Sequence, residues 1–311
     1  MLWERGLYMK IAITGGRGSV GQYVVRELLD HGYEVRAITR REWSDCPCEQ
    51  VRDVSVTDYD AFKAAVEGCD ALIHLANIAG PTPEDDRPDV FANNITANYN
   101  AMLIAGQLGL RRLVMASSVC ALGYSYAHNM VPPAYFPIDE GTPATPDNSY
   151  GISKILTERM AERMVQRFPF MSIALLRITM VVEPPMYRLM NLPQYLDEER
   201  LWAHNMATYV DARDSAVAFR LALEADLQGA EVFYICNPDG FSNLDTRQML
   251  AKYFPNSPLR APIGPRDAAE SSAKAARVLG WTPKHNWRDE VAASAPRTEK
   301  FGELPSDNWF I

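Results

Sequence analysis

Apolar residues recur along this chain at two periods. Short runs dense in apolar and β-branched residues fall at 10–14, 34–39, 51–54, 71–76, 113–117 and 172–179. Between them, over 20–29, 58–67, 89–108 and 150–168, apolar residues return every three or four positions. The short runs read as strands buried on both faces and the longer stretches as helices. Alternation at these lengths predicts an α/β fold, a Rossmann-type doubly wound parallel sheet covered on both faces. It would occupy residues 1–182, with 1–8 as an N-terminal extension before the first strand. Ligands of such sheets sit beyond the carboxyl ends of the strands, so Gly15, Asp53, Ala76 and Ser117 are expected to line one crevice.

Past residue 182 the pattern loosens, and 183–311 reads mainly as a smaller, irregular substrate-binding cap. A helix at 211–225 and a strand at 232–236 still stand out, so some of these segments are expected to return to the Rossmann domain. The stretch 279–288 reads as turn-rich. The proline- and tyrosine-rich segment 123–148 is too long for a plain connector, and loops of that size are often functional.

The strongest turn signal is MKIAITGGRGSVG at 9–21. Gly15, Gly18 and Gly21 follow a predicted strand and open a predicted helix. The first glycine permits a tight turn. The second lets backbone approach a pyrophosphate, and the third lets the helix pack close to the strand. Together they read as a dinucleotide-binding unit.

Composition narrows the class. The 311 residues carry a net charge of -8 and no basic run, so no nucleic-acid partner is expected. No apolar stretch reaches membrane-span length, and the N-terminus lacks the apolar core of a secretory signal. Five cysteines, an odd number, suggest free thiols in the cytoplasm. Cys46-Pro47-Cys48 has neither metal-site spacing nor a histidine nearby and reads as a loop; no metal is expected.

Tyr150 and Lys154 lie four apart on one predicted helix and share a face. A tyrosine hydroxyl titrates near about 10, and an ammonium beside it favours the phenolate. Such a pair can take a proton from a substrate hydroxyl as hydride leaves carbon. Ser118 could hydrogen-bond the substrate oxygen or cap a turn. His74 reads as a packed, hydrogen-bonded histidine, and Asp211 and Asp214 as acids complementing a helix dipole. Trp281 and Trp287 read as core or lid aromatics.

With these residues in place, the chain resembles the extended short-chain dehydrogenase/reductases, the NAD-dependent epimerase/dehydratase family. The matching pieces are TGGRGSVG at 14–21, Asp53-Val54, HLA at 74–76, Asn94, ASS at 116–118 with Gly123, YGISK at 150–154, LLR ending at Arg177, YVDARD at 209–214 and LGWTP at 279–283. The resemblance implies catalysis by Ser118, Tyr150 and Lys154, with Asn94 beside them. It implies a cofactor held by Gly15, Arg17, Gly18, Ser19, Val20 and Gly21 in the turn, and by Thr39, Arg40, Asp53 and Val54 around the adenosine. Leu75, Ala76, Asn77, Asn94, Ala116, Tyr150, Lys154, Arg177 and Thr179 would complete that site.

NAD enzymes of this fold usually end the second strand with an acid for the ribose 2′-hydroxyl. Here Thr39 stands in that place, followed by Arg40 and Arg41, with Arg17 inside the glycine turn. Guanidinium pairs with phosphate in a fork geometry, so NADP is favoured over NAD.

Within the family the central portion is most similar to the uronate dehydrogenases, through HLANI at 74–78, ASS followed by Gly123-Tyr124, and Arg177-Ile178 followed by EPPMYRLM at 183–190. Arg188 occupies the place of their carboxylate-binding arginine. Val119 and Cys120 replace an Asn-His pair, and Ala79 and Met180 stand where serines are expected. The implied substrate site, Ile78, Ser118, Val119, Cys120, Tyr150, Met180 and Arg188, is therefore less polar than theirs. The expected activity is NAD(P)-dependent hydride transfer to or from the hydroxyl or keto carbon of a small, carbohydrate-like substrate. The alternatives are a nucleotide-sugar epimerase or dehydratase that recycles its cofactor, and a non-catalytic NADP-sensing protein. The resemblance also implies a homodimer through the helices at 89–108 and 150–168, which offer Met102, Leu103, Leu156, Met160 and Met164.

Overall fold

The computed structural model describes residues 9–80, 88–125, 127–187 and 196–293. Seven parallel strands form the main sheet: β1 (Lys10–Thr14), β2 (Glu34–Ile38), β3 (Glu49–Val51), β4 (Ala71–His74), β5 (Arg112–Ser118), β6 (Ser172–Ile178) and β9 (Ala230–Ile235). Their order is β3-β2-β1-β4-β5-β6-β9, so the winding reverses between β1 and β4. Two further strands, β7 (Met180–Val182) and β8 (Tyr209–Asp211), pair in parallel as a separate ribbon.

Alternation along β1 shows why the sheet needs helices on both sides. Ile11 and Ile13 join one core layer with α1 (Gly21–Asp30), α6 (Ala212–Glu224) and α8 (Ala273–Leu279). Ala12 joins the opposite layer with α2 (Tyr59–Val66), α3 (Pro88–Gln107) and α4 (Ser149–Arg167). Several helix ends have a local cause. Asp58 caps α2 and Asn148 caps α4 by accepting from backbone N–H groups in the first turn. Gly280, with φ +67°, ends α8 in the left-handed region.

The third strand runs over Glu49–Val51 rather than 51–54. Asp53 takes φ +61°, which breaks extended backbone and suits the short acidic side chain. Beyond β6, α6, β9 and α8 return to the sheet, while two smaller clusters form the cap. One gathers Leu122, Tyr124, Phe136 and Ile138 with Trp202, Met249 and Phe254, bringing part of the 123–148 segment against α5 (Glu199–Asn205) and α7 (Thr246–Tyr253). The other packs Tyr187, Tyr209, Phe241 and Trp287 beside the β7–β8 ribbon. The 279–288 stretch is more ordered than its turn-rich sequence suggests. Trp281 is buried in the main core, its indole N–H donates to the Asp214 carbonyl, and α9 (Trp287–Ala293) follows.

Candidate active site

The glycine turn is built around Thr14. Its hydroxyl accepts from the backbone N–H groups of Leu75 and Ala76, both at 3.2 Å, and bonds His74 Nδ1 at 2.8 Å. The ends of β1 and β4 are thereby fixed side by side at the switch point. Gly15 then turns with φ +71°, and a Cβ there would lie 2.9 Å from the Ala76 nitrogen. A Cβ on Gly21 would lie 2.1 Å from the Gly15 carbonyl oxygen, so α1 can start this close to β1 only with glycine. Val20 supplies no side-chain cap to α1 and its first turn carries no acid. The N–H groups of Gln22 and Tyr23 donate to the Gly18 and Val20 carbonyls, so it is the helix-end dipole beside the glycine cradle that would attract an anion, and the cradle fits the pyrophosphate of a dinucleotide. Bound there, a nicotinamide dinucleotide would supply the hydride acceptor or donor. Ser19, Gly18 and Arg17 lie exposed along the turn.

At the edge of this crevice the Val54 N–H donates to the Thr39 carbonyl at 3.1 Å, which sets Asp53 and Val54 beside the end of β2. Thr39 is buried, and its hydroxyl accepts from Gln50 at 3.3 Å. Arg40 and Arg41 follow on the surface.

The catalytic candidates converge through α4. Gly151 lets the first turn of α4 press on a 3-10 turn at Val119–Leu122, since a Cβ would lie 2.6 Å from the Cys120 carbonyl oxygen. Ser118 caps that turn, its Oγ accepting from the Cys120 N–H at 3.2 Å, so it is held at the mouth of β5. One helical turn past the half-buried Tyr150, Lys154 is 2 % exposed. Its Nζ donates to the Ala116 carbonyl at 2.9 Å and lies 5.3 Å from the centroid of the Tyr150 ring. Burial pushes the ammonium down to about 8, countered by Cys120 and Glu158. At neutral pH a positive charge therefore sits where it would stabilise a phenolate at Tyr150.

Several residues that hold this site carry no motif. Ser117 turns away from the crevice expected for it, and its hydroxyl donates to Glu158 Oε1 at 2.7 Å. Glu158 also takes both Nε and Nη2 of Arg177, at 2.9 and 2.7 Å, in a buried bidentate pair. The Arg177 fork thus faces α4 and ties β6 to the catalytic helix. Asn94 is fully buried and binds both backbone groups of Ile78, accepting from its N–H at 2.8 Å and donating to its carbonyl at 2.9 Å. Asn77 exchanges amide hydrogen bonds with Asn98, which also donates to Thr157. Asn94 and Asn77 therefore brace the backbone after β4. A sequence signal did exist for Glu158, which follows Lys154 by one helical turn, and for Asn98, which follows Asn94 likewise.

His74 is the packed histidine expected of it: burial, with the nearby Lys154 charge, pushes its pKa down to about 3. On the substrate side, Val119 and Met180 are half-buried and Cys120 is buried, with its thiol pushed up by burial. The Thr179 hydroxyl donates to the Ile235 carbonyl at 3.3 Å. Arg188 lies outside the described residues. Asp211 caps α6 and pairs with Arg213, while Asp214 accepts from the N–H groups of Lys284 and His285. These acids therefore fasten the cap segment rather than merely offsetting a dipole.

The comparisons with known proteins agree with this geometry. The family model for the NAD dependent epimerase/dehydratase family matches residues 11–236. A UDP-glucose 4-epimerase of Lactobacillus helveticus is 25% identical, covering 94% of this chain and 97% of its own. An L-arabinose 1-dehydrogenase (NAD(P)(+)) of Haloferax volcanii is 30% identical, covering 70% of this chain and 84% of its own. In fold, the chain superimposes on the crystal structure of uronate dehydrogenase from Agrobacterium tumefaciens with a TM-score of 0.63, at 21% identity, over 94% of this chain and 92% of that one. No helix among the described residues is long and apolar enough to cross a membrane. The chain belongs to the NAD dependent epimerase/dehydratase family and is an NAD(P)-dependent enzyme of the extended short-chain dehydrogenase/reductase type.

Proposed function

We propose that the protein oxidises a hydroxyl carbon, or reduces the matching carbonyl, of a small carbohydrate-like substrate, with Tyr150 as the general acid/base. The observation that carries this reading is the stacked arrangement on α4, with the Lys154 ammonium 5.3 Å from the Tyr150 ring centroid and anchored to Ala116. In the oxidative direction the Tyr150 oxygen takes the substrate hydroxyl proton. The Ser118 hydroxyl orients the substrate oxygen, and the Lys154 charge offsets the phenolate. In the reductive direction the same proton returns to the new alkoxide. Around the reacting carbon, Ile78, Val119, Cys120 and Met180 would offer an apolar wall, and the resemblance to the uronate dehydrogenases would give Arg188 the binding of an anionic group. That supports a substrate less polar than a uronate. A panel of aldoses, sugar acids and hydroxy acids tests the reading. Net appearance of reduced nicotinamide absorbance supports it, and its absence across the panel with both cofactors counts against it.

The near-complete overlap with the Lactobacillus helveticus epimerase favours one second reading, epimerisation of a nucleotide sugar with a recycled cofactor. Such an enzyme would purify with cofactor bound and interconvert sugars with no net absorbance change.

The finer cofactor assignment is NADP, on the exposed Arg17, Arg40 and Arg41 beside a β2 end that lacks an acid. We also infer a homodimer through α3 and α4. Met102 and Met164 are buried in the protomer's own core and cannot serve it. Tyr99 and Leu156 are exposed, with Leu103 and Met160 half-buried on the same helices. Light scattering should give twice the protomer mass at micromolar concentration, and a protomer mass would remove the dimer.

A further inference from the structure

The loop between β2 and β3 holds a feature that dinucleotide binding does not require. Cys46 and Cys48 flank Pro47, and their sulfur atoms lie 3.5 Å apart as free thiols. Both are half-buried, whereas Cys69, Cys120 and Cys236 are buried, so this pair is the thiol chemistry open to a small reagent. A disulfide needs about 2.05 Å between sulfurs, roughly 1.5 Å less than the present contact.

The surroundings decide where such a movement goes. On one side, Glu49 follows Cys48 directly and is pinned by Lys10 at 2.5 Å and by Arg36 at 2.9 Å, while β3 is locked in register on β2. On the other side the loop is held by an exposed ion pair, Arg52 to Glu42 at 3.1 Å, and by one turn. The Cys46 N–H donates to the Trp43 carbonyl at 3.1 Å, and the Trp43 ring comes within 3.6 Å of where a Cβ on Gly16 would stand. Trp43, Cys46 and Cys48 pack together against the core layer that contains α1. Movement of the sulfurs is therefore passed toward Trp43 and the glycine turn, and along the segment that carries Arg40 and Arg41.

We propose that Cys46 and Cys48 form a reversible redox pair that closes to an intramolecular disulfide and, by tightening the loop over residues 40–48, weakens dinucleotide binding at the glycine turn. The oxidant class is a small-molecule disulfide such as oxidised glutathione. The Cys46 thiolate attacks one glutathione sulfur, the glutathione S–S bond breaks, and one glutathione leaves as thiolate. Cys48 then loses its proton and attacks Cys46 Sγ of the mixed disulfide, forming the internal S–S bond and releasing the second glutathione. Two protein thiols are oxidised by two electrons, and one glutathione disulfide is reduced to two thiols. Burial and the hydrogen bond with Cys46 push the Cys48 thiol up, which disfavours Cys48 as the first attacking thiolate. A ring this small is strained, which makes the bond easy to reduce and suits a switch rather than a structural staple.

The test exposes the full-length protein to mixtures of reduced and oxidised glutathione, followed by intact and peptide mass analysis. The oxidised protein should lose two hydrogen masses, localised to the peptide carrying Cys46 and Cys48, with no glutathione retained. Cys48→Ser should instead keep one glutathione on Cys46. Dinucleotide affinity, read by titration of the same samples, should weaken roughly three- to tenfold on oxidation and recover on reduction. The double variant Cys46→Ser/Cys48→Ser should bind as the reduced protein does in either buffer. Thiols that stay free in oxidised glutathione, or that each retain glutathione, overturn the proposal. So does a disulfide that leaves affinity unchanged, or an affinity loss that persists in the double variant. The mass measurement is independent of the assigned activity. A reduced protein that binds no dinucleotide would count against the cofactor assignment instead.

Discussion

Around α4, Lys154, Ser117, Glu158 and Arg177 are all buried and each is tied to a named partner on β5, β6 or α4. Arg17, beyond β1, and Arg40 and Arg41, beyond β2, stand in solvent, on loops. The two regions would meet different demands. Proton transfer would need atoms held in place within fractions of an ångström, and the α4 region is set in rigid elements and buried polar pairs. Recognition of a phosphate needs charge within reach, and long solvated side chains supply it at little cost to stability. Damage at the first end should therefore abolish chemistry or stability, and damage at the second should shift affinity alone.

The largest effect should come from Tyr150→Phe. The phenyl ring keeps the packing over Lys154 and removes the hydroxyl, so turnover should fall by roughly a hundredfold to ten-thousandfold. Calorimetric cofactor affinity should change little. Residual turnover above about a tenth of wild type would remove Tyr150 from the proton-transfer role.

Next comes Glu158→Ala, which leaves the Arg177 guanidinium buried without its bidentate partner. Breaking such a pair costs about 3–5 kcal/mol, to be read by urea unfolding. Replacing both partners with residues of similar volume, as in Glu158→Met/Arg177→Met, should cost less than the single change. An equal or greater loss in the double variant would show that the pair does not act as a unit.

At the exposed end, Arg40→Ala should weaken NADP binding by roughly ten- to a hundredfold, since charge-assisted hydrogen bonds contribute about 1.5–3 kcal/mol each. NAD affinity should hardly move, and folding stability should stay within about 0.5 kcal/mol of wild type. Equal losses for the two cofactors, or a wild type that already prefers NAD, would refute the 2′-phosphate assignment and leave the catalytic reading intact.

A last variant sharpens the contrast through pH. Glu270 lies buried near Tyr234 and Arg177, and burial pushes its carboxyl from 4.5 up to about 8. In the native protein it therefore keeps a proton that the unfolded chain releases. Its contribution to stability is complete below pH 4.5 and declines as pH rises toward about 8. Glu270→Gln keeps the shape without the titration. Relative to wild type it should gain stability steadily between pH 5 and pH 8, by about 1.4 kcal/mol for each pH unit. A difference between the two proteins that does not change with pH would show that Glu270 ionises normally.

How much of this was legible in the sequence differs between the same two regions. The glycine spacing at 15, 18 and 21, the Tyr150–Lys154 interval and the arginines after β2 are local patterns, and each carries its chemistry within a few residues. The supports of the catalytic end are not local. Ser117, Glu158 and Arg177 come from three elements, and the Asn94–Ile78 and Asn77–Asn98 contacts span 16 and 21 residues. A strand's alternation does not say which of Ser117 and Ser118 faces the crevice, because both faces of a buried parallel strand are covered.

The sequence by itself determined the sheet, its wrapping helices, the glycine turn between β1 and α1 and the placing of Tyr150 and Lys154 on one helix, because hydrophobic period and glycine spacing encode backbone geometry directly. Only the tertiary structure decided the rest. It showed that the Arg177 fork is committed to Glu158, that Met102 and Met164 face inward, that Tyr124, Phe136 and Ile138 pack with the cap, and that two cysteines of an ordinary-looking loop touch. Side-chain direction and partners are set by packing between distant segments, and no single stretch of chain carries that information.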